Sequence, residues 1–228
     1  MANTGTYVDS PFHRYENGKD LAELPLESVA DLDCLVVRLP AGMTSIDDVP
    51  LSAAKVKGRA VLFHTSWDRH FGTETYFEGH PHLTARAAEW LVKAGAALVG
   101  IDSFNIDSIS TGERPVHTIL LGREIPICEH MRGLAAVPGD GGRFSAVPVK
   151  VKGMGTFPVR AYVSVRDSGV FYSLDDVLEE TRAEPGLIKE LEEYGVIKGE
   201  RRDGEQFYDD TEREIIRAVA ELARFGVG

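Results

Sequence analysis

An α/β domain followed by a small helical module is what this 228-residue chain predicts, on three observations. Short apolar, β-branched runs recur between residues 34 and 165. A strongly amphipathic segment, LTARAAEWLVKAG (83–95), stands between the second and third of them. From Ser173 onward the composition changes, with 16 acidic side chains against 8 basic. A helix between two strand-like runs describes an α/β layer, because the crossing helix packs back onto the sheet its neighbours form.

The elements follow in order. CLVVRL (34–39), AVLFHT (60–65), LVGID (98–102), IPICE (125–129), FSAVPVKV (144–151) and VRAYVSV (159–165) read as strands. In the helix, Leu83, Ala87, Trp90, Leu91 and Ala94 fall on one face, Thr84 supplies an N-cap and Gly95 the stop. Pro- and Gly-rich stretches around 110–115 and 137–143 read as surface loops. Beyond 173, SLDDVLEET places Leu174, Val177 and Leu178 on one face. Pro185 opens a second helix with Leu187, Leu191 and Tyr194 facing inward, closed by Gly195. Val196, Ile197, the charged turn KGERRDGEQ, Phe207 and Tyr208 suggest a hairpin, followed by a helix over 209–224 with Ile215, Val219 and Leu222 spaced for burial. This outline of helix, turn, helix, wing and helix resembles the winged helix-turn-helix of the MerR family, and of its acidic chaperone-modulator relatives. The expected division is a domain over 1–167, a linker over 168–172 and the winged module over 173–228.

Composition narrows the function. Hydrophobic residues make up 43% of the chain and charged residues 27%, enough to build a core and unlike a disordered chain. A net charge of −11 argues against a general phosphate-binding surface, which needs clustered Lys and Arg to release counterions. Cys34 and Cys128 are far apart and have no C-x-x-C partner, so neither a disulfide framework nor a thiolate zinc site is indicated and a reducing cytoplasm is expected. No apolar run approaches the ~18 residues of a membrane span, and Met1 leads into polar sequence rather than a signal peptide.

Two polar pairs are candidates for chemistry. In NTGTYVDSPFHRY (3–15), Asp9 and His13 are four positions apart in an irregular segment anchored by Pro11, so a carboxylate and an imidazole can converge on a metal or act as a base beside one. A capped surface loop is the alternative. His117 and Glu129 flank the apolar run TILLGREIPIC, each at the edge of a strand-like element from which a polar side chain can enter a pocket; the alternative is a surface His and a strand-end Glu. His80 and His82, in H-P-H spacing, read as a loop leading into the helix, while His64, His70 and His130 carry no assignment.

These residues belong to longer matches. NTGTYVDSPFHRY, HTSWD (64–68), GHPHLTARAAEWL (79–91), GIDSFNID (100–107), RPVHTILLGREIPICEH (114–130) and VKGMGTFPVRAYV (151–163) together resemble, in order, the cyclase family, which includes kynurenine formamidase, isatin hydrolase and related metal-dependent amide hydrolases. The resemblance implies a swivelling β/β/α fold and one or two divalent ions, zinc or manganese, held by H-x-G-T-H-x-D-x-P-x-H with a later His and Glu. Asp9 then falls on the ligand Asp, His13 on the final His as general acid/base, and His117 and Glu129 on the later His and bridging Glu. Asn3 and Tyr7 stand where the motif has histidines. The expectation is therefore at most one weakly held ion on Asp9, His117 and Glu129, with Asn3 and Tyr7 free to hydrogen-bond substrate. Trp67 lines the pocket or serves as a core aromatic. The resemblance also implies a segment ahead of the motif, so part of the pocket wall is expected to be missing.

Three functions compete: a hydrolase of a small amide, formamide or lactone; an inactive cyclase fold that binds a ligand or protein; and a regulator or adaptor acting through 173–228. The expected partners are a small-molecule substrate, another copy of the chain in a homo-oligomer, and a protein partner through 173–228. Neither a membrane nor specific DNA is expected.

Overall fold

Residues 4–165, 170–202 and 204–224 are described by the computed structural model. The chain divides into two compact units, Met1–Val165 and Arg166–Gly228.

The first unit is a mixed α/β layer. Its strands are β1 (Tyr7–Asp9), β2 (Leu32–Arg38), β3 (Ser45–Ile46), β4 (Ala60–His64), β5 (His82–Leu83), β6 (Leu98–Ile101), β7 (Ile127–Glu129), β8 (Gly142–Ser145), β9 (Thr156–Pro158) and β10 (Tyr162–Val165). Its helices are α1 (Ala53–Val56), α2 (Ala85–Ala94) and α3 (Pro115–Leu121). Eight strands form one sheet in the order β10-β8-β2-β4-β6-β7-β1-β9; β3 and β5 pair separately. The centre, β2-β4-β6-β7, is parallel and the flanks are antiparallel. Parallel strands are covered on both faces, so their sequences read as unbroken apolar runs. Leu35, Val61, Val99 and Ile127 enter the cluster containing α2 and α3, while Cys34, Ala60, Leu62, Leu98 and Cys128 enter the opposite one. Burying each large apolar side chain at these positions contributes roughly 1.5–3 kcal/mol.

Helix α2 begins where expected. The Thr84 hydroxyl accepts the Ala87 N–H, and Gly95, at φ 78°, turns its N–H back to the carbonyls of Leu91 and Val92. Three expectations change. FSAVPVKV is a strand only to Ser145; Val147 and Val149 beyond it are exposed. His82 lies in the short strand β5 rather than in a loop. The segment after His117 is helix, because Pro115 sets the first turn and Val116, Leu120 and Leu121 bury at helical spacing.

The second unit contains β11 (Tyr172–Ser173), α4 (Leu174–Thr181), α5 (Pro185–Glu193), β12 (Glu200–Arg202), β13 (Glu205–Tyr208) and α6 (Asp210–Arg224), with β11-β13-β12 as a small antiparallel sheet. Ser173 and Asp176 form a reciprocal capping box at the start of α4. Val177, Ile188, Leu191, Ile197, Tyr208 and Ile216 make its core. Two inward assignments are corrected: Tyr194 is 82% exposed and Leu222 51%. The buried faces of α5 and α6 run through Ile188 and Ile216, one position from Leu187 and Ile215, and Tyr194 is the cap residue after α5 ends.

Candidate active site

The site is assembled where β1 joins the edge of the parallel strands. β1 pairs antiparallel with β7, placing Tyr7 opposite Glu129, Val8 opposite Cys128 and Asp9 opposite Ile127. Alternation along the strand sends Val8 and Cys128 into a core cluster and leaves Tyr7, Asp9 and Glu129 on the other face. Helix α3 supplies His117. Asp107 accepts the N–H groups of Val116 and His117 at 2.7 and 3.0 Å, and its Oδ2 lies 2.6 Å from His117 Nδ1. One carboxylate thus caps α3 and fixes its histidine, taking Nδ1–H and leaving Nε2 as the free donor atom.

His117 Nε2 stands 3.6 Å from Asp9 Oδ2, and His13 Nδ1 3.6 Å from Asp9 Oδ1. Both distances are too long for hydrogen bonds. Asp9 Oδ1, Asp9 Oδ2 and His117 Nε2 are buried with no hydrogen-bond partner. Ligand atoms of Asp9, His13 and His117 lie within 4.8 Å of one another. Buried polar atoms are normally satisfied, so donors that converge without bonding one another fit a divalent cation between them.

Glu129 is differently engaged. Its Oε2 accepts the Tyr7 hydroxyl at 2.6 Å, its Oε1 accepts the Ile106 N–H at 2.5 Å, and Oε1 is 3.9 Å from His117 Nε2. Burial raises the Glu129 pKa and, with the charges of Glu129 and Asp9, raises that of Tyr7, so the phenol keeps its proton. Burial opposes a charge on His117, yet Glu129, Asp107 and Asp9 outweigh it and lift its pKa to about 10. His13 moves the other way: burial lowers it, against the pull of Asp9, leaving a neutral imidazole at pH 7.

Tyr7 and His13 also line a cavity of about 560 Å³. Phe71, Tyr76, Phe77 and Phe104 make it aromatic; Asn105, Arg114 and His130 add polar groups. Of the residues singled out from sequence, Asp9, His13 and His117 converge, with Glu129 adjoining through Tyr7. Tyr7 presents its ring to the cavity while its proton is committed to Glu129. Trp67 is not among the lining residues; its indole N–H donates to the Tyr76 carbonyl at 3.0 Å, bracing the wall from behind. Asn3 lies outside the described residues. Sequence reasoning missed Asp107, Tyr76, Arg114 and His130; Asp107 closes the GIDSFNID match, Arg114 opens and His130 closes RPVHTILLGREIPICEH, and nothing local marks Tyr76. His64, Asp68 and Asp102 form a second group of ligand atoms, but Asp102 already accepts Thr65 N–H, Thr65 Oγ1 and Ser66 N–H.

Comparison with known proteins shows which family the chain belongs to. Residues 1–108 match the Cyclase family model, described as "Putative cyclase". The kynurenine formamidase of Bacillus cereus is 30% identical over 168 residues, covering 71% of this chain and 75% of that protein. The chain belongs to the cyclase family. A second relative, the kynurenine formamidase of Erythrobacter litoralis, is 30% identical over 151 residues, covering 65% and 67%. Among solved cyclase-fold structures, a predicted metal-dependent hydrolase from Bacillus stearothermophilus aligns at TM-score 0.56 and 25% identity, covering 72% of this chain and 77% of that one. An isatin hydrolase bound to thioisatinate aligns at TM-score 0.59 and 20% identity, covering 71% and 72%, and shows the shared fold. The curled mixed sheet of this cyclase-family chain is therefore the family's own, and among its described residues no helix is long and apolar enough to cross a membrane.

Proposed function

We propose that this chain is a metal-dependent hydrolase that opens the C–N bond of a small amide or formamide, or the ester bond of a lactone, carried by an aromatic substrate. The observation that carries the reading is the convergence of three buried, unpartnered ligand atoms on Asp9 and His117 beside a cavity with aromatic walls. Kynurenine formamidase and isatin hydrolase relatives support hydrolysis of an amide. A divalent ion at this site would polarise the substrate carbonyl and make water a stronger nucleophile. Imidazole and carboxylate donors suit zinc or manganese, and so few protein ligands imply one readily exchanged ion per chain.

The protein's own groups have separate tasks. Asp9 and His117 hold the ion, and Asp107 fixes the His117 ring. Neutral His13 takes a proton from the attacking water and returns it to the leaving nitrogen, a step commonly worth about 10²–10⁴-fold. Its position 3.6 Å from Asp9 also lets it serve as a third ligand. Glu129, held by Tyr7 and Ile106, orders Tyr7 at the cavity wall rather than offering a free ligand oxygen. The test is turnover of N-formyl arylamines and cyclic amides by the purified chain, with chelator and with zinc or manganese restored. His13→Ala should lose activity and keep its metal; loss of both makes His13 a ligand, and unchanged activity rules out either role.

We also infer a domain over 1–167, a linker over 168–172 that falls partly outside the described residues, and a winged helix of MerR-like form over 173–228. The order α4, α5, hairpin, α6 supports that form. Exposed Tyr194 among Glu190, Glu192 and Glu193 favours a protein partner, a basic one or another copy of the chain, over DNA. Buried free Cys34 and Cys128 fit a reducing cytoplasm.

A further inference from the structure

His130 is the one histidine beside the cavity that the mechanism above does not use, and it is held with unusual care. Its backbone is left-handed, at φ 54°, a conformation that costs a non-glycine residue about 1–3 kcal/mol unless its surroundings impose it. They do: its N–H donates to the Ser103 carbonyl at 3.3 Å, and its carbonyl accepts the Thr6 hydroxyl at 2.8 Å. The ring packs against Tyr7 and Tyr76, with centroids at 5.1 and 5.6 Å, and meets Phe104 edge-on at 5.5 Å. Strain, clamps and packing together aim one imidazole at the cavity wall.

The same surroundings select its tautomer. Tyr76 Oη lies 3.1 Å from His130 Nδ1. Tyr76 is 2% exposed, and its hydroxyl proton has no other acceptor among the described residues. A buried hydroxyl seeks an acceptor, so Tyr76 donates and Nδ1 accepts. The ring proton then sits on Nε2, which has no protein partner among the described residues and is not among the sealed, unpartnered atoms. With Nδ1 accepting, the ring is neutral and keeps that single proton.

We propose that His130 Nε2–H is a hydrogen-bond donor to the substrate, aimed at the carbonyl oxygen as water adds to the carbonyl carbon, and that Tyr76 is the positioning residue that holds it in this tautomer. A neutral donor suits this place, because it stabilises developing negative charge without competing with the cation for Asp9. The inference rests on the hydrolase reading, and its test separates the two.

The experiment is nitrogen-15 NMR of the histidine rings in the full-length chain, first alone and then titrated with N-formylaniline, alongside kinetics of His130→Ala and Tyr76→Phe. The Nε2–H tautomer is expected for His130 in the free chain, with its resonance moving on addition of the probe. Tyr76→Phe should give mixed tautomers. His130→Ala should lower kcat/KM by about 10²–10³-fold with metal content unchanged, the usual effect of removing one oxyanion donor. Should that variant fail to fold, Tyr76→Phe retains the ring and should still lower kcat more than it raises KM. An Nδ1–H tautomer in the free chain, or an Nε2–H resonance that ignores the probe, overturns the proposal whether or not any amide is turned over. Unchanged kcat/KM in His130→Ala overturns it as well.

Discussion

His117 carries two opposed demands, and its protonation shows how they are reconciled. Against the cost of burial, nearby Glu129, Asp107 on Nδ1 and Asp9 facing Nε2 raise its pKa to about 10, so without a cation the ring is an imidazolium at neutral pH. A raised pKa stabilises the ion-free fold most fully below the ordinary histidine value near 6.5, and that contribution fades as pH rises through about 10. A cation on Nε2 must displace that proton. Zinc binding at pH 7 should therefore release about one proton, and apparent affinity should climb with pH, roughly tenfold per unit, until the ring titrates. Calorimetry in two buffers of different ionisation enthalpy measures the release, and a buffer-independent enthalpy would contradict the account. Spacing singled out the pairs Asp9 with His13 and His117 with Glu129, and the resemblance to the cyclase motif joined them into one site. Neither could show Glu129 closed off by Tyr7, since that depends on the two being cross-strand partners.

At the scale of elements, α3 and the loop before it make the site. The apolar run after His117 looked like a strand from composition, yet Pro115 and the spacing of Val116, Leu120 and Leu121 make it a helix. The consequence is chemical. On a strand edge His117 would have no built-in partner, whereas at the start of α3 it shares Asp107 with two backbone N–H groups. Asp107→Asn keeps the shape but cannot hold the Nδ1 proton with a full charge. It should weaken metal binding about 10–100-fold, the usual effect of losing a partner behind a metal ligand. Competition with a fluorescent chelator measures this, and wild-type affinity in the variant would show that Asp107 only caps the helix. By contrast, α2 was legible from end to end, because Thr84 and Gly95 act locally. His130 was illegible for the opposite reason: its orientation arises from a left-handed turn and from Tyr76, 54 residues away.

Across the whole molecule, charge and chemistry are partitioned. The first 172 residues hold the cluster and cavity with a near-balanced charge, while residues 173–228 carry 16 acidic side chains against 8 basic. On α5, which would enter the groove in a DNA-binding winged helix, Lys189 stands among Glu190, Glu192 and Glu193. Anisotropy titration of the full chain with duplex DNA at moderate salt should show no sequence-selective binding; selective sub-micromolar binding would reverse the assignment of this unit. The central claim concerns the first unit, that Asp9 and His117 form a single cation site. The most direct measurement is zinc and manganese content per chain, by mass spectrometry of the native protein and of Asp9→Asn, each equilibrated with metal and dialysed mildly. About one ion per chain in the native protein, removable by chelator and absent from Asp9→Asn, is the expected result. Two retained ions per chain, or equal metal content in both proteins, would contradict it.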